Sequence, residues 1–222
     1  MSVHSPLALF DLDHTLIAGD CDQLWGDYLR DQGLVDADYQ ARKNGFFADY
    51  QAGTLDYDAF ARFVLEPLSR LPLATLLHLR AGFARERLAP VILPRARALI
   101  DAHRECGERV LIITATNRFI AEPAAAYFGV TELIATEPAR RDGRFTGDIE
   151  GVPSFREGKL TRLRAWLAQH GGSLADAHFY SDSRNDLPLL AAVGHPIAVD
   201  PDPVLRAEAK ARGWRVLSLR DG

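Results

Sequence analysis

The chain is poor in cysteine and methionine, and it lacks long apolar runs and any basic excess. Its two cysteines, Cys21 and Cys106, lie far apart and in no metal-ligand spacing. That fits free thiols in a reducing compartment better than a disulfide framework. No stretch approaches the roughly 18 apolar residues of a membrane span. Lys and Arg number 26 against 30 Asp and Glu, a net charge of −4, with no basic cluster. A nucleic-acid partner is therefore not expected. The opening MSVHSPLALFDLD has neither a basic n-region nor a long apolar core, and acids appear by residue 11, so it does not read as a secretory signal. These absences point to a cytoplasmic protein with no membrane partner. Internal repeats and low-complexity tracts are missing too.

What remains is an ordinary globular composition, 47% hydrophobic and 25% charged over 222 residues. That length allows one or two domains with a sizeable core. Short apolar runs predict strands at LALFDL (7–12), RVLIIT (109–114), ELIAT (132–136), HFYSD (178–182), PIAV (196–199) and WRVLSL (214–219). Helical patterns lie between them at 94–106, 118–128 and 159–170, each followed by glycine. This alternation predicts an α/β fold with a Rossmann-like parallel sheet. One long interruption, residues 18–91, contains no strong strand and reads as several helices. It predicts an inserted all-helical cap domain, leaving 1–17 and 92–222 as the α/β core. The segment RRDGRFTGDIEG (140–151) predicts a hairpin turning at Asp142-Gly143.

Acids end two of the predicted strands. Asp11 and Asp13 are two residues apart and would share a side on an extended backbone. Asp182 ends another strand and Asp186 follows at a helix start. Ligands of open parallel sheets bind beyond the carboxyl ends of strands. Four carboxylates gathered there would repel one another, and a divalent cation removes the conflict. Oxygen ligands without His or Cys point to Mg²⁺. Asp186 alone also suits a helix cap. Asp11 and Asp13, which flank Leu12 after a strongly apolar run, suit that reading poorly. Thr114, closing RVLIIT, offers a hydroxyl, and Lys159, after Gly158, offers a positive charge.

The order of these residues resembles the haloacid dehalogenase-like hydrolases. DLDHT is similar to that family's D-x-D-x-T motif, and LIIT to its apolar strand ending in Thr or Ser. Lys159 matches the third motif. SDSRND (181–186) resembles the fourth, G-D-x-x-N-D, with Ser181 and Ser183 around Asp182 where glycine is frequent. The insertion after the first motif resembles the cap of the phosphoserine-phosphatase-like subgroup, as does RDGRFTGDIEG. The resemblance implies a Mg²⁺-dependent phosphomonoesterase whose partner is a small-molecule phosphate monoester. It implies Asp11 as nucleophile, forming an aspartyl-phosphate, and Asp13 as proton donor and then base. It implies Mg²⁺ ligation by the Asp11 and Asp182 side chains and the Asp13 carbonyl, with Asp186 in support. It implies phosphate contacts from Thr114 and Lys159, with Asn185 assisting.

The cap bears on substrate. In the phosphoserine phosphatases an acid at the position of Asp20 reads the substrate ammonium. Asp20 is equally a favoured N-cap for a helix beginning near Cys21. The resemblance puts that subgroup's carboxylate-reading arginine at Val64, and Arg62 lies on a different helical face. This favours an amino-alcohol phosphate without a carboxylate, histidinol phosphate being the best fit. Tyr57, Phe46, Phe47 and Trp25 could wall an imidazole or simply form the cap's own core. Arg184 is a further candidate for substrate contact. Phosphoserine stays in play if Arg62, Arg42 or Arg156 reaches in. A phosphotransferase would share the aspartyl-phosphate. A phospho-Asp signalling module of the receiver type would use similar acids without the cap. Oligomeric state is not legible in the sequence.

Overall fold

The computed structural model describes residues 5–220, so the first four residues of the N-terminal reading lie outside it. Seven strands form one sheet in the order β4-β3-β2-β1-β5-β6-β7. These are β1 Leu7–Phe10, β2 Arg109–Asn117, β3 Glu132–Arg141, β4 Arg144–Glu150, β5 His178–Ser181, β6 His195–Val199 and β7 Arg215–Leu217. All neighbours pair parallel except β3 and β4. β1 lies between β2 and β5, and every residue of it is buried. A strand covered on both faces needs no polar alternation, which is why LALF is apolar throughout. Its residues sort by parity. Ala8 and Phe10 join one apolar cluster, whereas Leu7 and Leu9 join a second on the other face.

The first cluster contains the insertion. Between β1 and β2 lie α1 Cys21–Asp31, α2 Ala37–Ala52, α3 Tyr57–Arg70, α4 Leu73–Phe83 and α5 Pro94–Glu105. Asp20, Asp36 and Asp56 each cap the following helix by accepting a backbone N–H. α4 is α-helical only to Phe83, and the chain then widens into a π turn, Ala84–Leu88, and a 3₁₀ turn, Ala89–Val91. Trp25, Phe83 and Phe119 pack edge to face, joining the inserted helices to α6 Arg118–Tyr127. The chain leaves and returns side by side: Ile17 bridges Ile92, and Ala18 N–H donates to the Val91 carbonyl at 2.8 Å.

The second face is covered by α7 Glu157–His170, α8 Leu187–Leu190 and α9 Pro203–Arg212, whose Leu163, Leu189 and Leu205 enter its cluster. The hairpin forms as expected, with Asp142 and Gly143 at φ 52° and 78°, the conformation a two-residue turn of this hand requires. The strand expectations err in length. β1 stops at Phe10 and β5 at Ser181, so Asp11 and Asp182 lie just beyond the ladder. β2 runs three residues past Thr114, and β7 covers only half of WRVLSL. Among the described residues no helix is long and apolar enough to cross a membrane.

Candidate active site

Beyond the carboxyl ends of β1, β2 and β5 lies a cavity between sheet and inserted helices, lined by Asp11, Asp13, Lys159 and Asp186 on the sheet side. The sheet order reverses here. The chain runs outward from β1 through β2 to β4, then crosses back to β5 on the other side of β1. That is where an open α/β sheet leaves room for a ligand. After β1 the chain turns through His14 at φ 55°, and Leu16 N–H returns to the Leu12 carbonyl at 2.9 Å. Asp11 and Asp13 therefore do not share a strand face. Both reach the cavity, but different groups hold them.

Asp11 continues the Leu7 and Leu9 side and meets α7. Lys159 Nζ donates to Asp11 Oδ1 and to Asp186 Oδ2, each at 2.7 Å, and all three residues are buried. Gly158 makes this approach possible. A Cβ there would stand 2.0 Å from the Pro153 carbonyl oxygen, so only glycine lets the first turn of α7 close on that loop. Thr15 Oγ1 lies between Asp11 and Asp182. It is 3.4 Å from Asp11 Oδ2 and 3.2 Å from Asp182 Oδ1, and it accepts Asp182 N–H at 3.1 Å. Asp186 makes no cap hydrogen bond to α8. Its Oδ2 also accepts from Ser181 Oγ at 2.6 Å.

Asp13 is held from β2 and α1. Thr116 Oγ1 donates to its Oδ2 at 2.7 Å, Thr114 Oγ1 at 3.1 Å, and Cys21 N–H to its Oδ1 at 2.7 Å. Thr114 and Thr116 point the same way because they are two apart on a strand. Thr116 was thus legible in principle once β2 was extended. Asn185 lines the cavity, its Oδ1 taken by Arg156 Nε at 3.0 Å.

Burial pushes the Asp11 carboxyl up to about 7, against the pull of Lys159 and helped by Asp186 and Asp13. Burial pushes Asp182 well above the usual carboxylate range, with Asp11 and Asp186 adding to it. Burial alone would lower the Lys159 ammonium, but Asp11 and Asp186 more than reverse that and push it up. Four carboxylates thus gather at this end of the sheet, two of them on the Lys159 ammonium and Asp182 linked to Asp11 through Thr15. The donor set is all oxygen, with neither His nor Cys among the four acids. Such a set fits a hard divalent cation.

The cap side is aromatic. Phe46, Phe47, Tyr50, Tyr57 and Phe60 line it, and the Tyr57 ring stacks on Phe155 at 4.4 Å and 9°. Tyr57 OH donates to the Ala115 carbonyl at 2.8 Å, and Tyr50 OH meets Ser183 Oγ at 3.0 Å. Trp25 is buried against Phe83 instead and does not line the cavity. Asp20 caps the helix and faces the cavity at once. Its Oδ1 accepts Gln23 N–H at 2.8 Å, capping α1, and the residue lines the cavity. Burial, then Asp13, pushes its carboxyl up to about 7.

The structure does not bring the expected arginines into this cavity. Arg62 and Arg42 line a separate groove near Ser69 and Gly147. Arg184 Nη2 donates to the Tyr50 and Gln51 carbonyls at 3.2 and 2.6 Å, where α2 ends. Arg156, whose Nε holds Asn185, also donates from Nη2 to the Gly53 carbonyl at 3.3 Å. Ser181, Ser183, Tyr50, Phe155 and Asp22 were missed in the sequence. The serines stood out only as departures from glycine around Asp182, and nothing in the sequence singled out Asp22.

Residues 8–191 match the haloacid dehalogenase-like hydrolase family. The chain belongs to that family. A histidinol-phosphatase of Neisseria meningitidis serogroup C (strain 8013) is 46% identical over 219 residues, covering 96% of this chain and 99% of the relative. A protein of unknown function from Bordetella pertussis Tohama I superposes with a TM-score of 0.91 at 43% identity, covering 98% of this chain and all of the other. A phosphoserine phosphatase carrying an analogue of its phospho-aspartyl intermediate has a TM-score of 0.72 at 18% identity, over 98% of this chain and 94% of the other, and shares the fold. By motif set, fold and relatives the chain is a phosphatase-type member of the haloacid dehalogenase-like hydrolases.

Proposed function

We propose that the protein is a Mg²⁺-dependent phosphomonoesterase that acts through an aspartyl-phosphate on a small amine-bearing ester, histidinol phosphate being the substrate it fits best. The observation that carries the substrate is the charge inventory of the cavity. Beyond the reacting carboxylates it presents Asp20 against an aromatic wall, and among the described residues no arginine lines it. An ammonium has a partner there and a carboxylate has none. Phosphoserine, the second reading, needs a cation for its carboxylate, and Arg184 is tied to the end of α2 while Arg156 is tied to Asn185 and the Gly53 carbonyl. The name of the Neisseria relative agrees with the first reading.

Asp11 attacks phosphorus. A bond forms from its carboxylate oxygen to phosphorus as the ester bond to the leaving oxygen breaks. Asp13 gives that oxygen a proton, then takes one from the water that attacks the aspartyl-phosphate, releasing inorganic phosphate and restoring Asp11. The Thr114 and Thr116 hydroxyls are rotors that can donate to the Asp13 carboxylate or accept from its protonated form. Lys159 neutralises phosphoryl charge from the α7 side, and Thr114, with Asn185, serves the phosphoryl group beside it. The Asp11 and Asp182 carboxylates and the Asp13 carbonyl would hold Mg²⁺, supported by Asp186. When bound, the ion supplies positive charge that offsets repulsion between the phosphate dianion and Asp11.

We assign 18–91 as the cap and 1–17 with 92–222 as the core. The paired exit and return at Ile17 and Ile92 support that division. The cap excludes water and reads the leaving group. The test is steady-state turnover of histidinol phosphate, phosphoserine, a sugar phosphate and an aryl phosphate, with Mg²⁺ and with EDTA. Histidinol phosphate should give the highest kcat/KM, and EDTA should abolish turnover. A higher value for phosphoserine would reject the cap reading. A stable phosphoprotein without turnover would favour a signalling module, and transfer to an alcohol over water would favour a phosphotransferase.

A further inference from the structure

Asp22 is the one acid of the cavity to which the chemistry above gives no part. It is the second residue of α1, where a carboxylate interacts well with the helix dipole. That role asks only for an exposed side chain. Asp22 instead lines the cavity, and its Oδ1 is buried with no hydrogen-bond donor among the described residues. A buried acceptor without a donor destabilises the fold, as does a third acid near Asp13 and Asp20. Burial, then Asp20 and Asp13, pushes the Asp22 carboxyl well above the usual range. Nothing in the fold of α1 requires this, since Asp20 already caps the helix.

Asp20 and Asp22 line the same cavity as Asp11, Tyr57 and Phe155. Tyr57 and Phe155 give its wall a flat stacked pair. An ester seated with its phosphorus at Asp11 would meet two further acids and a ring wall in that one cavity. An aromatic nitrogen heterocycle offers both a flat face and an N–H donor.

We infer that Asp22 is a specificity-determining residue that accepts a hydrogen bond from a ring N–H of the leaving group, while Asp20 takes the ammonium. This rests on the histidinol phosphate reading and adds a second recognition point to it. The same inference explains the start of α1, whose N-cap and second residue both line the cavity.

The experiment compares Asp22→Asn, Asp22→Ala and Asp20→Asn on three substrates with Mg²⁺ present. These are histidinol phosphate, phosphoethanolamine, which has the amine but no ring, and p-nitrophenyl phosphate, which has no amine. Asp22→Ala should raise KM for histidinol phosphate about tenfold or more while kcat changes little, because a charge-assisted hydrogen bond is lost. Asp22→Asn keeps a neutral acceptor and should lie between wild type and Asp22→Ala. Neither should alter kcat/KM for the other two substrates. Asp20→Asn should weaken both amine substrates. The melting temperature of ligand-free Asp22→Asn should equal or exceed that of wild type, since a buried, repelled charge has gone. A fall in melting temperature with equal loss on all three substrates would show that Asp22 is only structural and overturn the inference. Unchanged KM in both Asp22 variants would overturn it while leaving the proposed function standing. A wild-type enzyme inactive on histidinol phosphate would sink both.

Discussion

Asp11 and Asp13 share a motif and a cavity but not an environment. Asp11 is buried against a single ammonium that it shares with Asp186, whereas Asp13 receives three donors from two elements. The first arrangement keeps a carboxylate oxygen beside a positive charge that phosphate can share. The second fixes a proton carrier in place. Asp11→Asn should lower kcat by at least about 10⁴-fold, the scale seen when a covalent nucleophile is lost. Its melting temperature should not fall, because burial already disfavours the Asp11 charge. Single-turnover assays with radiolabelled ester, reading phosphate on the protein, would check both nucleophile and intermediate. Labelled protein from Asp11→Asn would assign the nucleophile elsewhere. At this scale the sequence was informative wherever position in a strand fixed direction. Asp11, Asp182, Lys159 and Asp186 came together as their order implied. Arg62 and Arg184 did not, because a long flexible side chain can reach many partners and the α2 carbonyls took one of them.

At the scale of elements, two glycines make opposite predictions. Gly158 starts the turn of α7 that carries Lys159, and an added Cβ would collide with the backbone of Pro153. Gly158→Ala should cost about 1–3 kcal/mol, as overpacking does, and should lower kcat by moving Lys159 off Asp11. Gly45 lies inside α2, where an added Cβ meets nothing within 4 Å. Gly45→Ala should stabilise the protein by about 0.5–1 kcal/mol and leave kcat alone. Chemical denaturation with turnover assays would compare the pair. Equal effects would refute the view that the α7 approach is tight. The sequence placed Gly158 just ahead of a helix and Gly45 inside the helical insertion, and could not show their difference, which lies in how the chain at Pro153 folds back over the start of α7. Element type was legible for the same reason that element length was not. Periodicity marks strand and helix, but β2 extends to Asn117 because β3 continues to pair beside it at Thr136. The hairpin was readable because Asp-Gly fixes its own turn.

Across the whole molecule, cap and core are joined by polar ties around the cavity, among them Tyr57 OH to Ala115, Tyr50 OH to Ser183 and Arg184 to the end of α2. This closure is what dries the acids. It makes stability depend on pH in a direction that metal should reverse. Asp11 and Asp20 are pushed from the ordinary 3.8 up to about 7, and Asp22 and Asp182 well above it, with burial the largest cause in each. Between about pH 4 and 7 the native state therefore holds more protons than the unfolded chain, and its stability falls as pH rises. His14 and His178, lowered from 6.5 chiefly by burial, act in the opposite sense below that value, but two imidazoles stand against four carboxyls. In EDTA the melting temperature should drop from pH 5.5 to pH 7.5. A divalent cation binds the ionised acids of the native state, so millimolar Mg²⁺ should raise the melting temperature more at pH 7.5 than at 5.5. Asp20→Asn removes one of the four acids and should flatten the EDTA slope without abolishing the Mg²⁺ increment, because Asp20 is not among the proposed ligands. Asp182→Asn should remove most of that increment. A melting temperature that rises with pH in EDTA would mean that the acids are not held dry. A Mg²⁺ increment equal at both pH values, or intact in Asp182→Asn, would place the cation elsewhere.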